Sequence, residues 1–142
     1  MFKRRFHSVF MIVAVLASIG APLAARKAHD ARVRDFAASV ERSSTSLDAT
    51  LSAIAKRNDV KPPGTLSVRA SDQYSRVDAQ SGKSAEQEYL ADVAIDARIS
   101  SDDYAEEARS GDDAALRKIA AGRAAELERT ARAADALSVV LR

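Results

Sequence analysis

The sequence predicts an all-α fold, an antiparallel helical bundle of three long helices and one short one. Three observations carry that prediction. Over 142 residues, apolar side chains recur at steps of three and four in long blocks, as they do along one face of a helix with 3.6 residues per turn. No block alternates at every second residue, as a half-buried strand would. Glycine and proline gather between the blocks, around Pro62, Pro63 and Gly64, at Gly82 and at Gly111, where a chain of rods has to turn.

In chain order, residues 1–25 read as a secretory leader and 26–142 as a single helical domain. Lys3, Arg4 and Arg5 form a basic start, Val9 to Ile19 is an apolar run, and Gly20, Ala21, Pro22, Ala24 and Ala25 supply the small residues and proline that follow. A run that short falls below the roughly 18 to 20 residues that span a bilayer. The leader is therefore expected to be cut, with Ser18 and Gly20 suiting a cut before Ala21, and retention as an inner-membrane anchor is the alternative. Either way the domain is expected outside the cytoplasm, in the periplasm.

The first long helix is expected from Arg26 to about Asn58, on the stripe Val33, Phe36, Ala37, Val40, Ser44, Leu47, Leu51 and Ile54. Asp59 to Gly64 reads as a connection. Between Ser67 and Gln80, Val68, Tyr74 and Val77 are too sparse to bury much, which predicts a short helix with one wet face. The second long helix is expected to open at Ser84, its hydroxyl capping the first turn while Gln87 reaches back. Its stripe is Leu90, Val93, Ala97, Tyr104 and Ala108. Ser110 and Gly111 should stop it, the glycine in a left-handed conformation. Asp112 is then placed to cap the third helix and to suit its positive dipole end. Leu116, Ile119, Ala120, Arg123, Leu127, Ala131, Ala134, Leu137 and Leu141 share one face there, with Arg123 the stripe's only charge. Two long helices joined by so tight a turn pack antiparallel. The many alanines on these stripes allow close approach but bury little area, at about 25 cal/mol per Å².

Charge and composition exclude several functions. The whole chain carries a formal charge of +2, but without Lys3, Arg4 and Arg5 its 22 basic residues fall to 19 against 20 acids, a net charge of −1. No basic face for phosphates survives, so nucleic acid is not an expected partner. With no cysteine there is no disulfide, thiolate metal site or cysteine nucleophile. The hydroxyls from Ser43 to Ser46 have neither a histidine base nor a glycine-rich elbow beside them, so no hydrolase is expected, and no enzyme of another kind.

Three stretches carry a family resemblance. Leu23, Ala24, Lys27, Ala28, Val33, Phe36 and Ala37 form the first; Val77, Gly82, Glu86, Tyr89 and Leu90 the second; Gly111, Asp112, Asp113 and Leu116, with Leu127, Ala131, Ala134 and Leu137, the third. In this order and spacing they resemble the bacterial domain-of-unknown-function family 4142, whose members are exported proteins with a ferritin-like helical bundle. Two departures stand out. Members commonly carry bundle-facing histidines, and Ser44, Ala97 and Thr130 stand at those positions here. The family's leading helical segment is also missing, because the leader abuts Leu23. The resemblance therefore implies a ferritin-like bundle without a di-iron centre or other cofactor, and with an apolar groove open to a protein partner or a second copy.

The candidate site residues are acids. Glu86, Asp92 and Glu126 would serve a small-ligand or metal carrier if they met in the bundle interior. Asp102, Asp103, Glu106 and Glu107 put four carboxylates on adjacent rows of one helix, which reads first as a solvated face balanced by Arg98, Arg109 or Lys118 and second as a weak divalent-cation site. Arg123 reads as laying its stem over the core with its head in water, in preference to pairing with Glu86 or Asp92. His29 reads as surface rather than a metal ligand, and Tyr74, Tyr89 and Tyr104 as core rings rather than the lining of a pocket with Phe36. The expected role is thus a non-enzymatic interaction or structural protein of the cell envelope, with the carrier as the alternative.

Overall fold

The computed structural model describes residues 28–57, 72, 75–111 and 113–141. Three long helices dominate them: α1 over Ala31–Arg57, α2 over Gly82–Ser110 and α3 over Ala114–Val140. No strand occurs among the described residues. The leader, the connection around Pro62, and Val68 and Tyr74 lie outside them. No helix among the described residues is long and apolar enough to cross a membrane.

α1 begins at Ala31, later than the periodicity alone suggests, because Asp30 caps it. The Asp30 carboxylate accepts the Arg32 amide at 2.8 Å and its carbonyl accepts the Arg34 amide at 3.2 Å. The predicted stripe faces inward, with Val33, Ala37, Ser44, Leu51 and Ile54 buried. Residues 75–78 are helical, with Val77 buried while Ser75, Arg76 and Asp78 are exposed, which is the wet-faced short helix of the sequence.

Two caps differ from expectation. α2 starts at Gly82 rather than Ser84, with Ser81 at the cap position making no side-chain cap bond. Gly82 has φ +57°, a left-handed turn into the helix that suits a residue without a Cβ. Gln87 does not reach back: its amide donates to the Ser138 carbonyl at 3.3 Å and its oxygen accepts from the Ser138 hydroxyl at 2.8 Å, tying α2 to the far end of α3. At the other end, Asp113 and not Asp112 caps α3, accepting the Leu116 amide at 2.8 Å.

Gly111 is also not left-handed. Its φ of −66° and ψ of 152° are extended. Glycine is needed there for room, since a Cβ would lie 2.6 Å from the Glu107 carbonyl oxygen and 2.1 Å from its Oε1. The Arg117 guanidinium closes the turn by donating to the Gly111 carbonyl at 2.8 Å.

α2 and α3 lie antiparallel and in close approach along their length. The Ser101 hydroxyl, for example, donates to the Ala124 carbonyl at 2.9 Å across the pair. α1 is also antiparallel to α3, as its packing shows: Val33 and Ala37 share a cluster with Ala134, whereas Leu51 and Ile54 share one with Leu116 and Ala120. These two clusters, one at each end, form the core. Between Ala37 and Leu51, α1 gives neither cluster a buried residue. Along its whole length α1 makes far fewer backbone approaches to α3 than α2 does.

Candidate functional site

The α1–α3 face is open at its waist. A recess of about 270 Å³ lies among Phe36, Val40, Leu127, Thr130 and Ala133, with Arg129 beside it. A second, of about 450 Å³, continues toward Leu47, Lys118 and Ile119. Both are lined by Ser43, Arg123 and Glu126, so they form one groove with a polar bridge in the middle.

The helical repeat puts that bridge there. Arg123 follows Ala120 by three residues and precedes Leu127 by four, so it must project with them toward the core. Ser43 opposite is small enough to leave room. The Arg123 guanidinium donates to the Ser43 oxygen at 2.7 Å and meets Glu126 Oε2 at 3.1 Å, while the Ser43 hydroxyl donates to Glu126 Oε1 in a short bond. Burial is unequal, at 5% side-chain exposure for Arg123 and 40% for Glu126. Burial pushes the Glu126 pKa up, but the Ser43 hydroxyl and Arg123 outweigh it and hold the carboxyl below its ordinary range. The expectation that Arg123 sends its head to water, and its alternative partners Glu86 and Asp92, are both corrected: its partners are Ser43 and a carboxylate one turn along its own helix.

Beneath the bridge the polar groups are under-satisfied. Arg123 Nε, the Tyr104 hydroxyl and Ser44 Oγ are buried without a hydrogen-bond partner. Burial pushes the Tyr104 phenol well above its ordinary range, and the nearby Arg123 charge only moderates this. Of the three positions singled out by the resemblance, Ser44 and Ala97 are fully buried, and Thr130 lines the groove with its hydroxyl donated to the Glu126 carbonyl at 3.1 Å.

The three interior acids have separate partners. Glu86 is buried, and its Oε1 accepts the His29 amide at 2.8 Å and the Asp30 amide at 3.3 Å, anchoring the segment that leads into α1. Asp92 is buried with Oδ1 3.2 Å from Arg76 and Oδ2 unpartnered, and burial, helped by Glu88, pushes its pKa up. Glu126 belongs to the groove. Among the described residues, no group of three or more metal-ligating side chains comes together.

In the acidic run, Asp102, Asp103 and Glu106 are exposed and Glu107 is buried beside Gly111. Partial desolvation by its neighbours, followed by repulsion from Asp102, raises the pKa of the exposed Asp103. Arg109 pairs with Glu106 at 2.5 Å, as expected, but Arg98 turns away to Asp135 on α3 and Lys118 lines the groove. His29 is exposed, its ring over Gly82. Tyr89 and Tyr104 are core rings, Tyr89 meeting Phe36 edge-on at 6.4 Å; Tyr74 lies outside the described residues.

Ser43 is the site residue that sequence reasoning passed over as a partner for Arg123. The available signal was Arg123 itself, one charge on an otherwise apolar stripe, which had to meet a polar group on a facing helix.

A family model described as a domain of unknown function (DUF4142) matches residues 19–137. No curated protein and no solved structure matches the chain.

Proposed function

The chain belongs to the DUF4142 family, and from that premise we propose that it is an exported, non-enzymatic bundle of the cell envelope that works by binding, with the α1–α3 groove as its binding face. One observation carries this reading. In the groove a buried charge, hydroxyls and apolar side chains converge on open space. Glu86 and Asp92 are each engaged with a group of their own chain, so they support anchoring of the fold rather than chemistry. The second reading, a small-ligand carrier, is favoured by the recessed shape of the groove, which sets a polar bridge beside an apolar wall of Phe36, Val40, Leu127 and Ala133. The basic start and apolar run of residues 1–25, together with the family resemblance, support the export part of this reading.

Two measurements test the proposal. Native mass spectrometry of the protein isolated from the host's periplasmic fraction should show a bound mass that Ala133→Phe, which fills the groove, removes. The N-terminus of that material should lie near Ala21. A chain recovered only from the cytosol, or bound mass unaffected by the groove-filling change, would overturn it.

A further inference from the structure

We propose that the groove binds a small amphipathic monocarboxylate, its carboxylate replacing that of Glu126 on Arg123 and Ser43 and its hydrocarbon lying along Phe36, Val40, Leu127 and Ala133. This rests on the reading of the groove as the binding face and adds the chemistry of the occupant. Four features of the site select that chemistry. A guanidinium more than nine-tenths buried lines the open space and keeps an unpartnered Nε, so the site holds more donor capacity than the chain itself satisfies. Its present counter-ion is far more exposed than the arginine, at 40% against 5%, and sits on the same helix, so a rotamer change carries the Glu126 carboxylate into water while the arginine stays in place. The donors that Glu126 uses, one guanidinium and one hydroxyl, are those a free carboxylate takes, and charge-assisted bonds to buried arginine are among the stronger polar contacts.

The fourth feature is the sign and shape of the surroundings. Ser39, Arg129 and Thr130 line the groove on the Phe36 side and Ser46, Thr50 and Lys118 on the other, so two further cations and several hydroxyls surround one acid, Glu126. The apolar wall lies on the Phe36 side within about 270 Å³ of space, near the lower end of small-molecule sites and suited to a short chain rather than a polymer. Glu126 thus acts as an internal stand-in that keeps Arg123 neutralised when the groove is empty of ligand.

Isothermal titration calorimetry with sodium octanoate tests this on the full chain. Octanoate should bind, octylamine should not, and octanol should bind more weakly. Glu126→Ala removes the competing carboxylate and should tighten octanoate roughly tenfold, the scale of one charge-assisted contact. Arg123→Met keeps the volume without the charge and should abolish binding, as should Ala133→Phe, a change at an exposed position that leaves the core intact. Circular dichroism confirms that each variant is folded. Equal binding of octylamine, unchanged affinity in Glu126→Ala, or retained binding in a folded Ala133→Phe would each overturn the proposal. If octanoate fails while the mass carried from the periplasm is still lost in Ala133→Phe, the ligand class is wrong and the binding face stands; if both fail, the binding face falls too.

Discussion

The two faces that α3 presents to its neighbours are built differently. Toward α2 it offers alanines and backbone: Ala97 and Tyr104 on one side, Ala120 and Ala131 on the other, close enough for Ser101 to donate to a main-chain carbonyl. Toward the middle of α1 it offers Arg123, Glu126 and Thr130 across an open groove. The first face is a closed seam. The second is pinned at both ends by apolar clusters and bridged at the waist by one serine and one ion pair. Alanines on α3 let α2 approach closely even where it carries a ring such as Tyr104, whereas the charged and polar side chains facing the middle of α1 leave open space between the helices.

The largest effect should come from the closed part. Leu116→Ala, at a fully buried position, should cost about 2–5 kcal/mol in denaturant unfolding. Ala120→Leu should overpack the same region by about 1–3 kcal/mol, whereas Ala133→Leu, over the groove, should stay within about 0.5 kcal/mol. If the two alanine changes cost the same, the faces are not distinct.

Smaller effects probe the bridge. The folded-state pKa of Glu126 lies below its unfolded value, so the stability it adds is complete above the ordinary carboxylate range and is lost as pH falls through the lower folded value. Glu126→Gln should therefore lower Tm at pH 7 and converge with the parent in acid; with 40% of that side chain exposed, solvent screening limits the gap to less than about 1 kcal/mol. Asp92 has the opposite sign: its pKa is raised, so its relative stabilisation is present in acid and lost as pH rises through the raised value. Asp92→Asn should raise Tm slightly at pH 7. Tyr104→Phe removes a buried hydroxyl that has no partner and should raise stability by up to about 1 kcal/mol. Added manganese, iron, zinc or calcium should leave Tm unchanged, and a clear rise with any of them would favour a metal carrier.

How much was legible in the sequence follows from the range over which each feature is decided. The stripes of α1, α2 and α3 were readable because helical periodicity is local, and so was the hairpin, since one short turn between two rods leaves a single way to pack. The caps were not. Asp112 and Asp113 have the same chemistry, and only backbone geometry at the turn decides which one meets the Leu116 amide. Gly111 was recognised as obligatory for the wrong reason, because its crowding comes from Glu107 and not from its own dihedral angles. Arg123 was singled out from the sequence, but its partner Ser43 lies on a helix distant in the chain, and no spacing rule reaches that far. Glu86 is buried, as an interior acid would be, but its partners, the amides of His29 and Asp30, lie far away in the chain and no local pattern points to them.

The difference between the two faces of α3 can be measured directly by hydrogen exchange on the full chain. Amides in the middle of α1, around Ser43, should exchange through an opening of lower free energy than those of α2 and α3 around Ala97 and Ala120, and Glu126→Gln should speed exchange in α1 while leaving the α2–α3 pair unchanged. Uniform protection across all three helices, or an equal response of all three to that substitution, would contradict an open face beside a closed one.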